Sequence, residues 1–271
     1  MNQDTFNGKN NFYYLDRVTA DYIFDEIYNE KVYLQQGITL KAGDTIVDAG
    51  ANIGMFSRYA AETAPGSTIY AIEPIPKIFE VMEANLAAEL GNFITIHKGL
   101  GAETDTEVDF FYYPNCSADS TSTPFQWEEK IEGYLNNWKE TVCSTNPLAR
   151  IVPPFLRRFI IEKGLRSYYK PEKITCTMTT LSAVIRDRGI TTIDLLKLDA
   201  ENAEWDVLRG IEKEDFQKIR QIAMEVHEHI PGGRNLGERI KKLLEDRGFT
   251  VTIDKSDVRA SMGVFMLYAK H

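Results

Sequence analysis

From Thr45 onward, short apolar runs alternate with segments in which apolar residues recur every three or four positions. Runs of the first kind read as buried strands and those of the second as amphipathic helices. Strands are expected at Thr45–Ala49, Thr68–Glu73, Phe93–Gly99 and Glu107–Tyr113, with helices at Ile53–Ala64 and Pro76–Leu90. The rhythm resumes with helix Thr180–Arg188, strand Asp194–Asp199, helix Ala203–Gly210, strand Ile222–Val226 and helix Leu236–Arg247. Two final strands, Phe249–Ile253 and Val264–Ala269, are joined by a short connection and read as a hairpin. Such alternation predicts an α/β, doubly wound and largely parallel sheet, with ligands at the carboxyl ends of its strands.

Two stretches break the rhythm. Residues 1–40 are aromatic-rich, with Tyr22, Ile23, Phe24, Ile27 and Tyr28 at near-helical spacing, and read as an N-terminal helical extension of a single domain spanning 1–271. The insertion Ser117–Lys173 opens polar at Ser117–Thr123 and then becomes amphipathic. A connection this long is usually functional or carries helices of its own. It reads as a helical lid, with Ser117 at the hinge and Phe155, Leu156, Phe159 and Ile160 closing over an acceptor. Arg157, Arg158, Lys163 and Arg166 would meet a phosphate or an acidic carrier protein; the alternative is a solvated amphipathic helix packed on the core.

Composition narrows the class. A chain of 271 residues with 43% hydrophobic content suits one large globular domain. The longest apolar runs are strand-length, so no transmembrane segment is expected, and the N-terminus has no secretory pattern. Cys116, Cys143 and Cys176 have no metal-type spacing and suit reduced thiols in a cytoplasmic protein. A net charge of −9 argues against nucleic acid as a partner.

The chemistry gathers where strands end. Asp48-Ala49-Gly50-Ala51-Asn52-Ile53-Gly54 is a strand running into a small-residue turn and a helix start, where backbone lies open to a ligand. Glu73, about 20 residues on, ends the next strand where a carboxylate can grip both ribose hydroxyls. A pyrophosphate would want glycine at Asn52 and would be repelled by Asp48. S-adenosylmethionine, cationic and without phosphate, fits better, and Asp48, Gly50, Asn52, Gly54 and Glu73 are its candidate contacts.

Asp199 ends an apolar strand, placed for donor, acceptor or metal; helix capping is its bland reading, as first-turn placement is for Glu201 and Glu204. Glu225 and His227 alternate along one strand and can face the same side. His227 is the candidate base for removing a hydroxyl proton, oriented by Glu225 or Glu228, with His229 a weaker candidate. Glu201 and Ser117 join Phe155 and Phe159 as candidate acceptor contacts. No metal is obligatory, because the donor already activates its methyl group; Asp199, Glu225 and His227 nevertheless form an oxygen-rich set that suits a divalent ion.

The block from Gly43 to Gly54, then Glu73-Pro74, then Ile193–Glu204 with Leu208 and Gly210, resembles the FkbM-family methyltransferases from about Ile27 to the end, the insertion excepted. The resemblance implies a seven-stranded class I (Rossmann-like) fold and O-methylation of a hydroxyl on a sugar, polyketide or related natural product. It also implies donor contacts at Asp48, Gly50, Asn52 and Glu73, with Asp199 beside them. The family commonly has glycine where this chain has Asn202, a residue that tolerates positive φ well. The acceptor is expected to be a small molecule or a carrier-tethered hydroxyl; the oligomeric state is unknown. Rival readings are an N-methyltransferase, an NAD-dependent oxidoreductase and a non-catalytic nucleoside-binding subunit.

Overall fold

A computed structural model describes residues 1–8, 10–123, 127–144, 146–228, 233, 235–256, 259–260 and 263–271. The N-terminal segment departs from the expected helix. It begins as a hairpin of β1 (Asn2–Phe6) and β2 (Asn10–Tyr14), and only then turns helical in α1 (Arg17–Phe24), a π-helical turn at Asp25–Glu30 and a 3-10 turn at Val32–Leu34. Phe24 stacks on Phe6 and Tyr28, and Phe12 meets Phe6 and Phe24 edge to face, which accounts for the aromatic content without a continuous helix.

The main sheet and its helices follow. They are β3 (Thr45–Ala49), α2 (Met55–Thr63), β4 (Thr68–Ile72), α3 (Pro76–Ala87) and β5 (Asn92–Ile96). A smaller sheet contributes β6 (Gly99–Leu100) and β7 (Glu107–Tyr112). The insertion then supplies α4 (Trp127–Asn136), α5 (Trp138–Thr141) and α6 (Pro154–Tyr168), after which β8 (Glu172–Thr179) returns to the smaller sheet. The chain closes with α7 (Leu181–Arg188), β9 (Leu195–Leu198), α8 (Glu204–Arg209), β10 (Gln221–His227), α9 (Leu236–Glu245), β11 (Thr250–Asp254) and β12 (Val264–Lys270).

The seven-stranded sheet runs β11-β12-β10-β9-β3-β4-β5. Pairings among β10, β9, β3, β4 and β5 are parallel, and β12 lies antiparallel to both β10 and β11. This is the class I Rossmann-like architecture, with the expected C-terminal hairpin. Leu195, Leu196 and Leu198 are fully buried, as central parallel strands covered on both faces require. The chain builds outward from β3 to β5 and later returns to place β9 on the other side of β3. A crevice opens at that reversal, beyond the carboxyl ends of β3 and β9.

Strand β8 escaped the sequence reading, which let the insertion run to Lys173. It pairs antiparallel with β7 (Val108 opposite Cys176) and parallel with β6 (Gly99 opposite Met178). The insertion therefore grows out of a hairpin connection between β7 and β8. Its helices enclose their own apolar cluster, including Ile131, Trp138, Ile161, Leu165 and Tyr169. Among the described residues no helix is long and apolar enough to cross a membrane.

Candidate active site

The turn after β3 is shaped by close approach. Gly50 has φ +73°, and a Cβ there would stand 1.7 Å from the Asp199 carbonyl oxygen, so glycine is what lets the end of β9 come alongside. Asn52, at φ +49°, donates its backbone N–H to Glu73 Oε2 at 3.1 Å, and Ile75 N–H donates to Glu73 Oε1 at 3.0 Å. Burial lifts the Glu73 carboxyl to about 7 despite those two donors.

Two expected donor contacts lie elsewhere. Asp48 is fully buried behind the turn, where it accepts from Ser57 Oγ at 2.7 Å and pairs with Lys197 Nζ at 3.2 Å; it does not line the cavity. Ser57 and Lys197 hold it under the turn, although its buried Oδ1 makes no hydrogen bond among the described residues. Gly54 likewise faces protein: a Cβ there would meet Met82 Cγ at 3.1 Å and Leu86 at 3.3 Å, so it serves helix packing.

At the end of β9, Asp199 Oδ2 accepts from the Tyr33 hydroxyl at 2.8 Å, while the buried Oδ1 has no hydrogen-bond partner among the described residues. Lys197 Nζ donates to the Gly50 carbonyl at 2.7 Å and lies 3.9 Å from Asp199 Oδ2, tying the two strand ends together. The next turn carries Glu201 at φ +41° and Asn202 at φ +77°, so asparagine does accept the left-handed position. Thr121, at the start of the insertion, donates to the Glu201 carbonyl at 2.7 Å and accepts from Asn202 Nδ2 at 3.1 Å.

His227 closes the group from β10. Its Nδ1 lies 3.0 Å from Glu204 Oε1, and its Nε2 is 3.6 Å from Glu201 Oε2 and 3.7 Å from Glu225 Oε2. Burial alone would depress the imidazole, but Glu204, Glu201 and Glu225 outweigh it and hold His227 well above its ordinary value. Glu225 is pushed up to about 8, chiefly by burial and by Asp199, although Arg259 donates to its Oε1 at 2.8 Å. Arg259 also pairs with Glu26 at 2.8 Å and donates to the Tyr22 hydroxyl. Glu204, fully buried, takes the orienting place expected of Glu225 or Glu228. His229 lies outside the described residues.

These groups open into one cavity of about 1540 Å³. Gly50, Asn52 and Glu73 line one part, Asp199, Glu201, Glu225 and His227 another, and the insertion contributes Ser117, Asp119, Lys130 and Tyr134. Ser117 is held in place by donating its N–H and Oγ–H to Asp16 Oδ2, at 3.2 and 3.1 Å. Phe155 and Phe159 do not reach the cavity. They are 80% and 64% exposed on α6, which turns Ile161 and Leu165 inward instead. Arg158 pairs with Glu128 and Glu132 on α4, and Arg166 with Glu162, so two of the basic residues expected to meet an acceptor are engaged within the insertion.

Sequence reasoning missed Tyr33, Glu26, Arg259 and the role of Glu204. Lys197 had a signal that went unread: a lysine inside the apolar run Leu195–Leu198 has to be paired if it is buried.

A profile of the "Methyltransferase FkbM domain" matches residues 48–251. The chain belongs to the FkbM methyltransferase family. It is 33% identical over 252 residues to methyltransferase sdnD of Sordaria araneosa, covering 91% of this chain and 88% of that protein. Over 260 residues it is 30% identical to the 31-O-demethyl-FK506 methyltransferase FkbM of Streptomyces tacrolimicus, covering 93% and 90%. It is also 32% identical over 255 residues to the AMB antimetabolite synthetase AmbE of Pseudomonas aeruginosa; 92% of this chain matches only 12% of that much longer protein. The cofactor of an FkbM methyltransferase is S-adenosylmethionine, and the site suits it. Each Glu73 oxygen receives one backbone N–H and keeps lone-pair capacity for a ribose hydroxyl, and carboxylates rather than a phosphate cradle flank the turn.

Proposed function

We propose that this FkbM methyltransferase is an S-adenosylmethionine-dependent O-methyltransferase acting on a hydroxyl of a small-molecule or carrier-tethered natural product. The observation that carries the proposal is a juxtaposition. The ribose-type carboxylate Glu73, beside the Gly50–Asn52 turn, and the group Asp199, Glu201, Glu225 and His227 open into one cavity at neighbouring strand ends. The printed name of the Streptomyces relative, a 31-O-demethyl methyltransferase, favours oxygen over nitrogen as the acceptor atom. The match inside an antimetabolite synthetase supports an acceptor delivered by a larger biosynthetic assembly.

Glu73 would hold the ribose, and the backbone at Gly50 and Asn52 would lie against the nucleoside. Asp199, fixed by Tyr33 and Lys197, would stand between donor and acceptor. Bound there, S-adenosylmethionine supplies a methyl group already activated by its sulfonium. The chain itself orients the acceptor hydroxyl and draws off its proton. Glu225 and His227 face that position, with His227 fixed through Nδ1 by Glu204. The insertion roofs the acceptor side and serves as the lid that selects it.

The test is incubation with methyl-labelled donor and a panel of alcohols and amines, free and carrier-bound. A methyl ether product is expected, with His227→Ala lowering kcat about 10²–10⁴-fold while donor affinity holds. Transfer to nitrogen alone, or donor binding with no transfer across the panel, overturns the proposal. Calorimetry with NAD as the competing cofactor excludes the oxidoreductase reading if only S-adenosylmethionine binds.

A further inference from the structure

We infer that Asp199, Glu201, Glu225 and His227 form a binding site for a divalent metal cation, with Mn²⁺ the best match to their donor set. Each offers one ligand atom, and these atoms lie within 4.8 Å of one another. The group is not a chance patch of surface acids, since Glu225 is 7% exposed and His227 3%. Its spacing suits ligands around one ion. His227 Nε2 stands 3.6 Å from Glu201 Oε2 and 3.7 Å from Glu225 Oε2, ion-pair distances that a cation between them would also set. Atoms held at roughly 2.1 Å from one ion stand about 3–4 Å apart.

A second observation comes from outside the group. Glu204, fully buried, engages Nδ1 of His227 at 3.0 Å and is itself fixed by the Asn202 N–H at 3.0 Å. A carboxylate on the far nitrogen is the usual companion of a metal-binding histidine, because it sets the ring and aims Nε2 at the ion. The other ligands are steadied in the same way. Tyr33 takes Asp199 Oδ2 and leaves the buried Oδ1 without a partner among the described residues, and Arg259 takes Glu225 Oε1 and leaves Oε2 facing His227. Three carboxylates with one imidazole make a hard set with a single borderline ligand, which suits manganese better than zinc or calcium.

For its role, the inference rests on the proposed arrival of an acceptor hydroxyl at this point. An alcohol bound to the ion is acidified directly, so its proton can leave to a neighbouring carboxylate or to solvent, and His227, with Nε2 on the ion and Nδ1 held by Glu204, would serve as a ligand rather than as the base. Binding itself can be tested without that reading. Protein stripped with chelator and desalted is titrated with MnCl₂ while the electron paramagnetic resonance signal of free Mn²⁺ is followed. One ion per chain is expected. Glu201→Gln, at a partly exposed position, should weaken uptake about 10–100-fold, and Glu204→Gln by a similar factor although it is no ligand. Absence of uptake, or uptake unchanged in Glu201→Gln and in a folded His227→Ala, overturns the site. Labelled methyl transfer on the same samples separates the two readings. Uptake without transfer to any acceptor keeps the ion site and sinks the O-methyltransferase assignment. Full transfer by protein that takes up no Mn²⁺ does the reverse.

Discussion

Glu73 accepts one backbone N–H on each oxygen, and burial lifts it to about 7. Glu73→Gln replaces one of those acceptors with a donor, so it should weaken S-adenosylmethionine binding by about 1–3 kcal/mol. Calorimetry on a folded variant with unchanged affinity would reject the ribose assignment. The sign of the pH effect follows from the raised value. The ionised form is the one that accepts hydroxyls, and it is lost as pH falls through about 7, so affinity should drop between pH 8 and pH 6. A cationic donor pulls the value down again, so at pH 7 binding should release protons and the measured heat should vary with the buffer. Flat affinity and buffer-independent heat together would place Glu73 outside the donor site. Gly50 has no such latitude. Gly50→Ala drives a Cβ into the Asp199 carbonyl at a positive φ, and its thermal midpoint should fall well beyond that of an ordinary surface change.

Between elements, Thr121 ties the insertion to the site. One hydroxyl bonds both the Glu201 carbonyl and the Asn202 amide, and so couples the insertion to the turn after β9. Thr121→Val keeps the shape and removes both bonds. It should lower kcat several-fold with the circular dichroism spectrum intact; an unchanged kcat would mean the insertion does not steady the site through this contact. Arg158→Ala is the contrast. Its partners lie on an exposed face, and at most a slight loss of stability with normal activity is expected. A strong activity loss would return Arg158 to the acceptor surface. The alternation of β3 through β5, and of α7 through β12, was legible because β3, β4, β9 and β12 are largely apolar runs, and the alternating strands β5 and β11 each follow a helix in that rhythm. Strand β8 was not, because Thr175, Thr177 and Thr179 interleave with Ile174, Cys176 and Met178 and give the signal of a half-exposed sheet face. The β1–β2 hairpin hid for a similar reason: Asn2, Gln3, Asp4 and Thr5 are exposed and carry no apolar periodicity.

At the scale of the whole molecule, the insertion is expected to close over the acceptor. Amide hydrogen exchange across 117–173 should slow when donor and acceptor are added together. High protection without ligand, unchanged on addition, would make it a fixed roof. The site was legible in the sequence to the extent that it sits at strand ends: Gly50, Glu73, Asp199, Glu225 and His227 all reach the cavity. What stayed hidden arrives from a distance. Arg259, beyond β11, meets Glu26 and Glu225, and nothing local to Arg259 announces either partner. Phe155 and Phe159 are the converse case: apolar residues on a helix suggest a buried or ligand-facing stripe, and here that stripe lies in solvent.

The hydrogen bond from Tyr33 to Asp199 joins residues 166 positions apart, and the pair of Arg259 with Glu26 reaches farther still, back to the N-terminal segment. Contacts of such separation form only after the chain between them has organised, and those that hang on the N-terminal segment are lost whenever that segment opens as a local unit. The competent pocket is therefore less durable than the sheet that carries it. In a urea titration, binding of S-adenosylmethionine should be lost at a lower concentration than the far-ultraviolet signal of the strands and helices. Storage or mild heating would then leave a population that is folded by every bulk measure and unable to hold its donor.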